Sequence, residues 1–241
     1  MERGVSFTQA HCNIPICNPS RASFITGLYP HTSQLYGFEK WRDNEITKNS
    51  RTLMDLFRKN GYHTLGTGKI MHNGERQEWI HYQNDPDYSP LAHREGKNIA
   101  HPDVPAPFRD EFEAIDGSFG PLRKVTAPFS WKSGNWKRMK DFRYESEDDR
   151  DLTADELNGK WAVENLKKLA TTDKPFLMGV GFIRPHTPLI VPQKYFDLFP
   201  LESIELPVIK RGDVKDTFKQ TVSSVEDDRS GDRGSKIYDT L

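Results

Sequence analysis

The sequence predicts an α/β sandwich, in which a mixed, mostly parallel sheet lies between helices. Residues 51–72 and 153–186 each show a helical apolar pattern, then a turn and an apolar strand. The second strand, PFLMGVGFI, is almost continuously apolar, as strands are when helices cover both faces of a parallel sheet. Polar residues follow both strands, and ligands bind at that carboxyl edge in parallel sheets. We therefore expect a functional site there.

The composition excludes several classes of protein. Lysine and arginine number 34 against 35 acidic residues, and the resulting net charge of -1 provides no global field for nucleic acid or an anionic membrane. No run approaches the roughly 18 apolar residues of a membrane span. The first 15 residues have no apolar segment of signal-peptide length, so no export signal is expected. Two cysteines, Cys12 and Cys17, are either free thiols or one short bridge.

The first elements are a predicted short strand at residues 5–7 and a helix that begins at Pro19. Asn18 is a good N-cap, and proline suits a first helical position because it has no amide hydrogen to leave unpaired. Gly27 can end the helix in a left-handed conformation. Cys17 would then lie just outside the helix N-terminus, where free amides and the helix dipole favour an anion.

A second helix, turn and strand are predicted over residues 51–72. Gly61 ends the helix, and the strand YHTLGTG leaves Lys69 and His72 at its carboxyl end. The helix has one predicted buried stripe, formed by Leu53, Met54, Leu56 and Phe57.

Residues 73–150 are rich in proline, aromatic and charged residues and have weak periodicity. This pattern predicts an irregular excursion over the surface, of the kind that shapes substrate pockets. After it, Thr153 and Glu156 predict a capping box. The helix that follows has a predicted buried stripe of Leu157, Trp161, Leu166 and Leu169.

The last strand is followed by Arg184, Pro185 and His186, and then by a predicted loop and short helix. Residues 210–241 are polar and poorly patterned, which predicts loop or disorder. The topology places Cys17, Lys69, His72 and His186 on one rim of the sheet. A nucleophile, cations and histidines suit hydrolysis of an ester with a sulfate or phosphate head group. The cations would stabilise its oxygens, and a histidine would protonate the leaving alcohol.

Three motifs resemble those of the formylglycine-dependent sulfatases, in particular iduronate-2-sulfatase-like members. CNPSRASFITG, residues 17–27, resembles the cysteine-x-proline-serine-arginine signature, and GYHTLGTGKIMHNG resembles the second motif. GVGFIRPHTPLIVPQKYFDLF resembles the segment with the family's proline-histidine pair. The resemblance runs from Gly4 to about Pro207. It implies an alkaline-phosphatase-like sandwich and hydrolysis of sulfate esters, here of a sulfated carbohydrate or small molecule.

The resemblance also implies a role for each matching residue. A formylglycine-generating enzyme would read Pro19 and Arg21 and oxidise Cys17 to an aldehyde, whose hydrate attacks sulfur and later expels sulfate. Arg21 would stabilise the gem-diol and touch the metal site, and Lys69 would bind the sulfate. His72 would hold the formylglycine hydroxyl or help to eject sulfate, and His186 would be a sulfate ligand and the candidate acid.

Family members bind a divalent cation, usually Ca²⁺, through aspartates upstream and downstream of these motifs. In this chain, only Cys17, as formylglycine, matches a metal ligand. The chain is therefore interpreted as part of a catalytic domain, residues 1–209, truncated at both ends. Family members are mostly exported, but the sequence itself does not indicate a compartment.

Three other interpretations stay open on the sequence. A phosphatase or phosphodiesterase of the same fold would use serine or threonine and two zinc ions. The cysteine tag and the scarcity of histidine–aspartate clusters argue against it. A catalytically inactive fragment is the second. A cysteine hydrolase with a histidine base is the third, and it leaves Pro19 and Arg21 unexplained.

Overall fold

The computed structural model describes residues 4–72, 76–105, 118–134 and 139–208. Contacts divide the chain into two units. The first unit takes its described residues from Met1–Ser89, Gly134–Lys137 and Leu152–Pro185, and the second from Pro90–Ser133, Arg138–Asp151 and His186–Leu241. The predicted polar tail, residues 210–241, lies outside the described residues.

Helices and strands alternate along the described chain. The α-helices are α1 (Cys17–Thr26), α2 (Pro30–Ser33), α3 (Leu53–Lys59), α4 (Ala154–Leu169) and α5 (Gln193–Phe196). The strands are β1 (His63–Gly68), β2 (His81–Tyr82), β3 (Leu91–Arg94), β4 (Lys97–Asn98), β5 (Phe119–Leu122), β6 (Phe129–Ser133), β7 (Lys140–Phe142), β8 (Phe176–Gly181) and β9 (Leu189–Pro192). Short 3-10 helices occupy Thr47–Asn49, Arg76–Glu78 and Leu201–Ser203.

A parallel sheet in the order β2-β1-β8 organises the first unit. β1 and β8 pair over their whole length, from His63 opposite Phe176 to Gly68 opposite Gly181. The two strands that the sequence predicts are therefore neighbours, and their carboxyl ends coincide. This confirms the predicted shared edge for the segments that follow β1 and β8.

Helices cover both faces of this sheet, which confirms the predicted α/β sandwich. On one face, Leu65 of β1 packs with Trp161 and Ala162 of α4. On the other, a larger cluster joins residues of α1 and α3 to the segments that flank the sheet: Ala22, Ile25, Leu35, Trp41, Met54, Ile70, Met71, Trp79 and Tyr82, with Leu177 of β8 against it. Successive side chains along the strands point to opposite faces of the sheet, so the strands contribute to two separate cores. Every helix in the described ranges is too short or too polar to span a bilayer.

Helix α1 begins two residues earlier than the sequence predicts. Its first residue is Cys17 and its N-cap is Ile16, whose side chain makes no capping bond. Asn18 is not the N-cap, because its side chain is buried and bonds to a different loop. The C-terminal prediction is confirmed, since Gly27 has φ 73° and its amide donates to the carbonyl of Ser23.

The predicted capping signals of α3 and α4 are correct, but their buried stripes are narrower than predicted. Thr153 and Glu156 form both bonds of a capping box. Gly61, just after α3, has φ 86°. Of the predicted stripes only Met54 and Trp161 are fully buried, and four leucines are 40–44% exposed: Leu53, Leu56, Leu157 and Leu166. Each helix buries only the side chains that face the sheet, and these leucines lie beside that contact rather than in it.

The second unit contains two sheets. An antiparallel sheet has the order β4-β3-β6-β7, and β5 pairs with β9 in parallel. Their shared core consists of Ala92, Leu122, Trp131, Phe142 and Ile190. His101 is fully buried beside it, with Nδ1 accepting from the amide of Asp103 and Nε2 3.0 Å from the carbonyl oxygen of Pro121. Burial lowers the pKa of His101, so this histidine is a neutral structural residue.

Three predictions about the strands are wrong. The described part of residues 73–150 contains β2 to β7 and is not an irregular excursion. Strands of two to five residues are too short to show periodicity and depend on pairing with distant partners. Residues 5–7 form no strand; Val5 and Phe7 are 77% and 81% exposed, with no neighbouring strand among the described residues. In the predicted loop before α5, β9 forms because it pairs with β5.

Substitution of Gly68 tests the junction of β1 and β8. Gly68 has φ 73°, and an added Cβ would lie 1.9 Å from the carbonyl oxygen of Gly181. We expect Gly68→Ala to lower the free energy of unfolding by about 3 kcal/mol or more in chemical denaturation. Gly159→Ala is the control, because nothing lies within 4 Å of its added Cβ, and it should stabilise α4 by about 0.5–1 kcal/mol. Equal denaturation midpoints for Gly68→Ala and the unsubstituted chain would contradict this account of the junction.

Candidate active site

Cys17 lies in the first turn of α1 and is half-buried. It is a free thiol, and so is Cys12, which is exposed. Because Ile16 provides no side-chain acceptor, the first amides of α1 have no capping side chain at that position. Such amides attract negative charge. The predicted position of Cys17 just outside the helix is wrong, because Cys17 is itself the first helical residue.

The side chain of Asn18 fixes the surroundings of Cys17. Asn18 is 1% exposed, and its Nδ2 donates to the carbonyl oxygens of Gly37 and Glu39, both at 2.8 Å. The loop that contains residues 37–39 is therefore tied to the residue next to Cys17. Sequence reasoning assigned Asn18 to capping and missed this contact, because the partners lie about twenty residues away in the chain.

Arg21 connects α1 to the end of β1. It lies one helical turn after Cys17, and its Nη1 donates to the carbonyl oxygens of Lys69 and Ile70, both at 2.7 Å. These two bonds bring the turn that carries Cys17 against the segment that carries Lys69. The Nε of Arg21 is buried and has no hydrogen-bond partner among the described residues. One donor of this guanidinium therefore makes no hydrogen bond within the described chain.

Lys69 is a buried cation with an unusual set of neighbours. It is 3% exposed, its Nζ donates to the hydroxyl of Tyr88 at 2.6 Å, and it lies 4.7 Å from the centroid of that ring. No carboxylate in the described ranges forms an ion pair with it. A buried charge is unfavourable without a counter-charge, so Lys69 is suited to receive an anion.

Tyr88 and Arg184 belong to the same part of the first unit, and sequence reasoning missed both as site residues. Arg184 is half-buried, and its Nη2 donates to the carbonyl oxygen of Tyr88 at 3.0 Å. Burial lowers the pKa of Arg184, while the nearby charges of Asp155 and Asp87 act in the opposite direction. Arg184 stands in the quoted arginine-proline-histidine run and could have been found there. Tyr88 lies in a stretch without a recognisable pattern.

The two histidines lie in different units. His72 is half-buried in the first unit, with its ring centroid 5.2 Å from that of Phe38. His186 is exposed in the second unit, and its Nδ1 lies 2.8 Å from the carbonyl oxygen of Thr187. Within the first unit, the structure joins Cys17, Arg21 and Lys69 through α1 and the end of β1. The grouping of His186 with them stays a prediction.

A divalent cation does not fit the side chains that the structure describes. Across residues 4–72, 76–105, 118–134 and 139–208, no three histidine, cysteine, aspartate or glutamate side chains are placed to hold a metal ion. Calcium takes six to eight oxygen ligands. The predicted Ca²⁺ role of Cys17 as formylglycine therefore has no supporting carboxylates within these ranges.

Comparison with known proteins identifies the family. The family model described as "Sulfatase" matches residues 1–205. The chain belongs to the sulfatase family. The predicted resemblance to the sulfatases is thereby confirmed as a family relationship. The sheet between two helical layers agrees with the α/β sandwich that this family implies.

Three relatives illustrate the relationship. A protein named "Sulfatase" from Formosa agariphila is 37% identical over 218 residues, which are 88% of this chain and 38% of that protein. Iduronate 2-sulfatase of Homo sapiens is 29% identical over 204 residues, or 83% of this chain and 32% of that protein. A protein named "Ulvan-active sulfatase" from Formosa agariphila is 27% identical over 214 residues, which are 85% of this chain and 33% of that protein. The sulfatase chain described here thus spans well under half the length of each relative.

Substitution of Lys69 separates its binding role from a structural one. We expect inorganic sulfate to raise the melting temperature of the unsubstituted chain, because a ligand that binds only the folded state stabilises it. Lys69→Met should abolish that shift. Without sulfate it should unfold no more easily than the unsubstituted chain, since it removes an unpaired buried charge. Lys160→Met, at an exposed position of α4, should keep the full shift. A sulfate shift that persists in Lys69→Met would contradict the binding role.

Proposed function

We propose that this chain carries the nucleophile and the sulfate-binding groups of a sulfuric ester hydrolase that uses formylglycine made from Cys17. The observation that carries the proposal is Lys69, which is 3% exposed and has no carboxylate partner among the described residues. Arg21 ties the segment of Lys69 directly to the helix of Cys17. A cation that is buried, unneutralised and tied to the tagged cysteine is a binding group for an anionic ester.

The surroundings of residue 17 fit formylglycine. Its thiol is free and half-buried, so it can be converted without breaking a disulfide. The buried Nε of Arg21 is an unpaired donor one helical turn away, where it can bind a hydroxyl oxygen at residue 17. When present, an aldehyde hydrate supplies the nucleophilic hydroxyl and allows sulfate to be expelled.

The chain's own residues would bind and stabilise the ester. Lys69 would hold a sulfate oxygen, and exchange of the neutral Tyr88 hydroxyl for an anion would strengthen its electrostatic interaction. His72 would hold or relay the proton of the residue-17 hydroxyl, and its contact with Phe38 limits the orientations of its ring. His186 is the proposed acid for the leaving alcohol, on the strength of the motif alone.

The substrate class and the cation are further parts of the proposal. Relatives are named as an iduronate 2-sulfatase and an ulvan-active sulfatase, which favours a sulfated carbohydrate. A divalent cation, expected to be Ca²⁺, would need carboxylates beyond those that the described residues bring together. The partner in maturation would be a formylglycine-generating enzyme that reads Pro19 and Arg21.

Mass spectrometry of the cysteine-containing peptides tests the modification. After coexpression with a formylglycine-generating enzyme, we expect the peptide of Cys17 to carry an aldehyde that reacts with a hydrazide probe. Cys12 is the internal control: it is exposed but lacks a proline two residues on, so it should stay a thiol. Pro19→Ala should strongly reduce the conversion. An intact thiol at Cys17 under these conditions would remove the proposed nucleophile.

Parallel assays with a sulfate ester and the matching phosphate ester test the reaction class. The coexpressed chain should hydrolyse the sulfate ester faster than the phosphate ester. Lys69→Met should lower its kcat/KM about 10²- to 10³-fold, the usual effect of removing one stabilising donor. Lys160→Met should retain full activity. Faster hydrolysis of the phosphate ester would instead favour a phosphatase of the same fold.

A further inference from the structure

An exposed aromatic ring borders the candidate active site. Phe38 is 62% exposed, yet its ring centroid lies 5.2 Å from that of His72, with the two planes inclined by 49°. Isolated exposed hydrophobic residues are common and need no explanation. Phe38 differs because its ring packs, at a tilt, against His72, one of the residues assigned to the chemistry.

The backbone around Phe38 is fixed from the same site. Asn18 donates to the carbonyl oxygens of the residues on both sides of Phe38, Gly37 and Glu39. Because Asn18 is buried and adjacent to Cys17, these bonds set the position of the Phe38 loop relative to the nucleophile. The two bonds satisfy the buried amide of Asn18 and hold the Phe38 loop in one position.

We propose that Phe38 is a specificity-determining residue that stacks on the ring of the substrate's alcohol part; this rests on the proposed function. The cations at Lys69 and Arg21 suit the sulfate, but nothing about them distinguishes one alcohol from another. A ring bonded to the sulfate oxygen would extend from the buried cation toward solvent, and Phe38 is an exposed apolar ring beside His72. Sugar rings and aryl rings both present such a face, and aromatic side chains bind it by stacking and dispersion.

Exposed Phe24 provides a matched control. It lies on α1 and is 55% exposed, close to the exposure of Phe38. It makes no ring contact with His72 or with any other aromatic residue among the described residues. A general effect of losing exposed aromatic surface should therefore be the same in Phe24→Ala and Phe38→Ala. Loss of the proposed stacking should appear in Phe38→Ala alone.

Calorimetry with three probes tests the proposal on chain expressed without the maturation enzyme, so that no turnover occurs. The probes are inorganic sulfate, a sulfated monosaccharide and an aryl sulfate. We expect Phe38→Ala to weaken binding of at least one sulfated ring about three- to tenfold and to leave inorganic sulfate unchanged. Phe38→Trp should retain binding of the ring, and Phe24→Ala should match the unsubstituted chain with all three probes. The sulfated probe whose affinity falls more in Phe38→Ala identifies the substrate class.

Different failures have different meanings. If Phe38→Ala and Phe38→Trp bind both sulfated rings as the unsubstituted chain does, Phe38 is not a specificity residue and the proposed function stands. If Phe38→Ala also loses inorganic sulfate while Phe38→Trp retains it, the ring supports the site and the stacking proposal is overturned. If the unsubstituted chain binds none of the three probes, both the proposed function and the stacking role of Phe38 are overturned.

Discussion

The contact between Arg21 and the backbone after β1 is the constraint on which the site depends. A guanidinium presents several donors in a rigid plane, and here one nitrogen bonds the carbonyl oxygens of two consecutive residues, Lys69 and Ile70. A lysine at position 21 would carry the same charge without the planar fork. Each hydrogen bond to a charged group contributes about 1.5–3 kcal/mol, so the contact is strong enough to hold a helix against a strand end. It also brings the helix of Cys17 against the segment of Lys69 in the first unit.

The carboxyl edge of the sheet is built mainly from polar groups whose bonds cross between elements. Asn158 of α4 accepts from the hydroxyl of Thr67 at 2.8 Å and donates to the carbonyl oxygen of Gly181 at 3.2 Å. Gly68 permits the close approach of the two strand ends. Such a network is satisfied only in one arrangement, and it therefore specifies the geometry of the edge. Lys69 is the exception among these polar groups, because its buried ammonium group is hydrogen-bonded to a hydroxyl, that of Tyr88, and not to a carboxylate. Active sites commonly keep such unfavourable groups for the sake of binding.

The second unit shows how much structure can form from segments without clear patterns. Its strands pair β3 with β6 and β6 with β7, over a core that includes Trp131 and Phe142. Each strand is short, so its own sequence favours strand only weakly. Stability comes from the ladders and the shared core, which join segments far apart in the chain. The sheet formed by β5 and β9 is the clearest case, because neither strand exists without the other.

The sequence by itself determined the α/β class, the N-terminal cap of α4, the glycines that end α1 and α3, and the family. These follow from local patterns: the apolar run of β8, the capping pair Thr153 and Glu156, and the motif around Cys17. The tertiary structure alone decided the contacts of Asn18, Tyr88 and Phe38, because their partners are distant in the chain and no local pattern encodes such contacts. It also decided that Lys69 is buried without an ion pair among the described residues. Burial is a property of the packed chain, whereas a cap or an apolar strand is visible in a few consecutive residues.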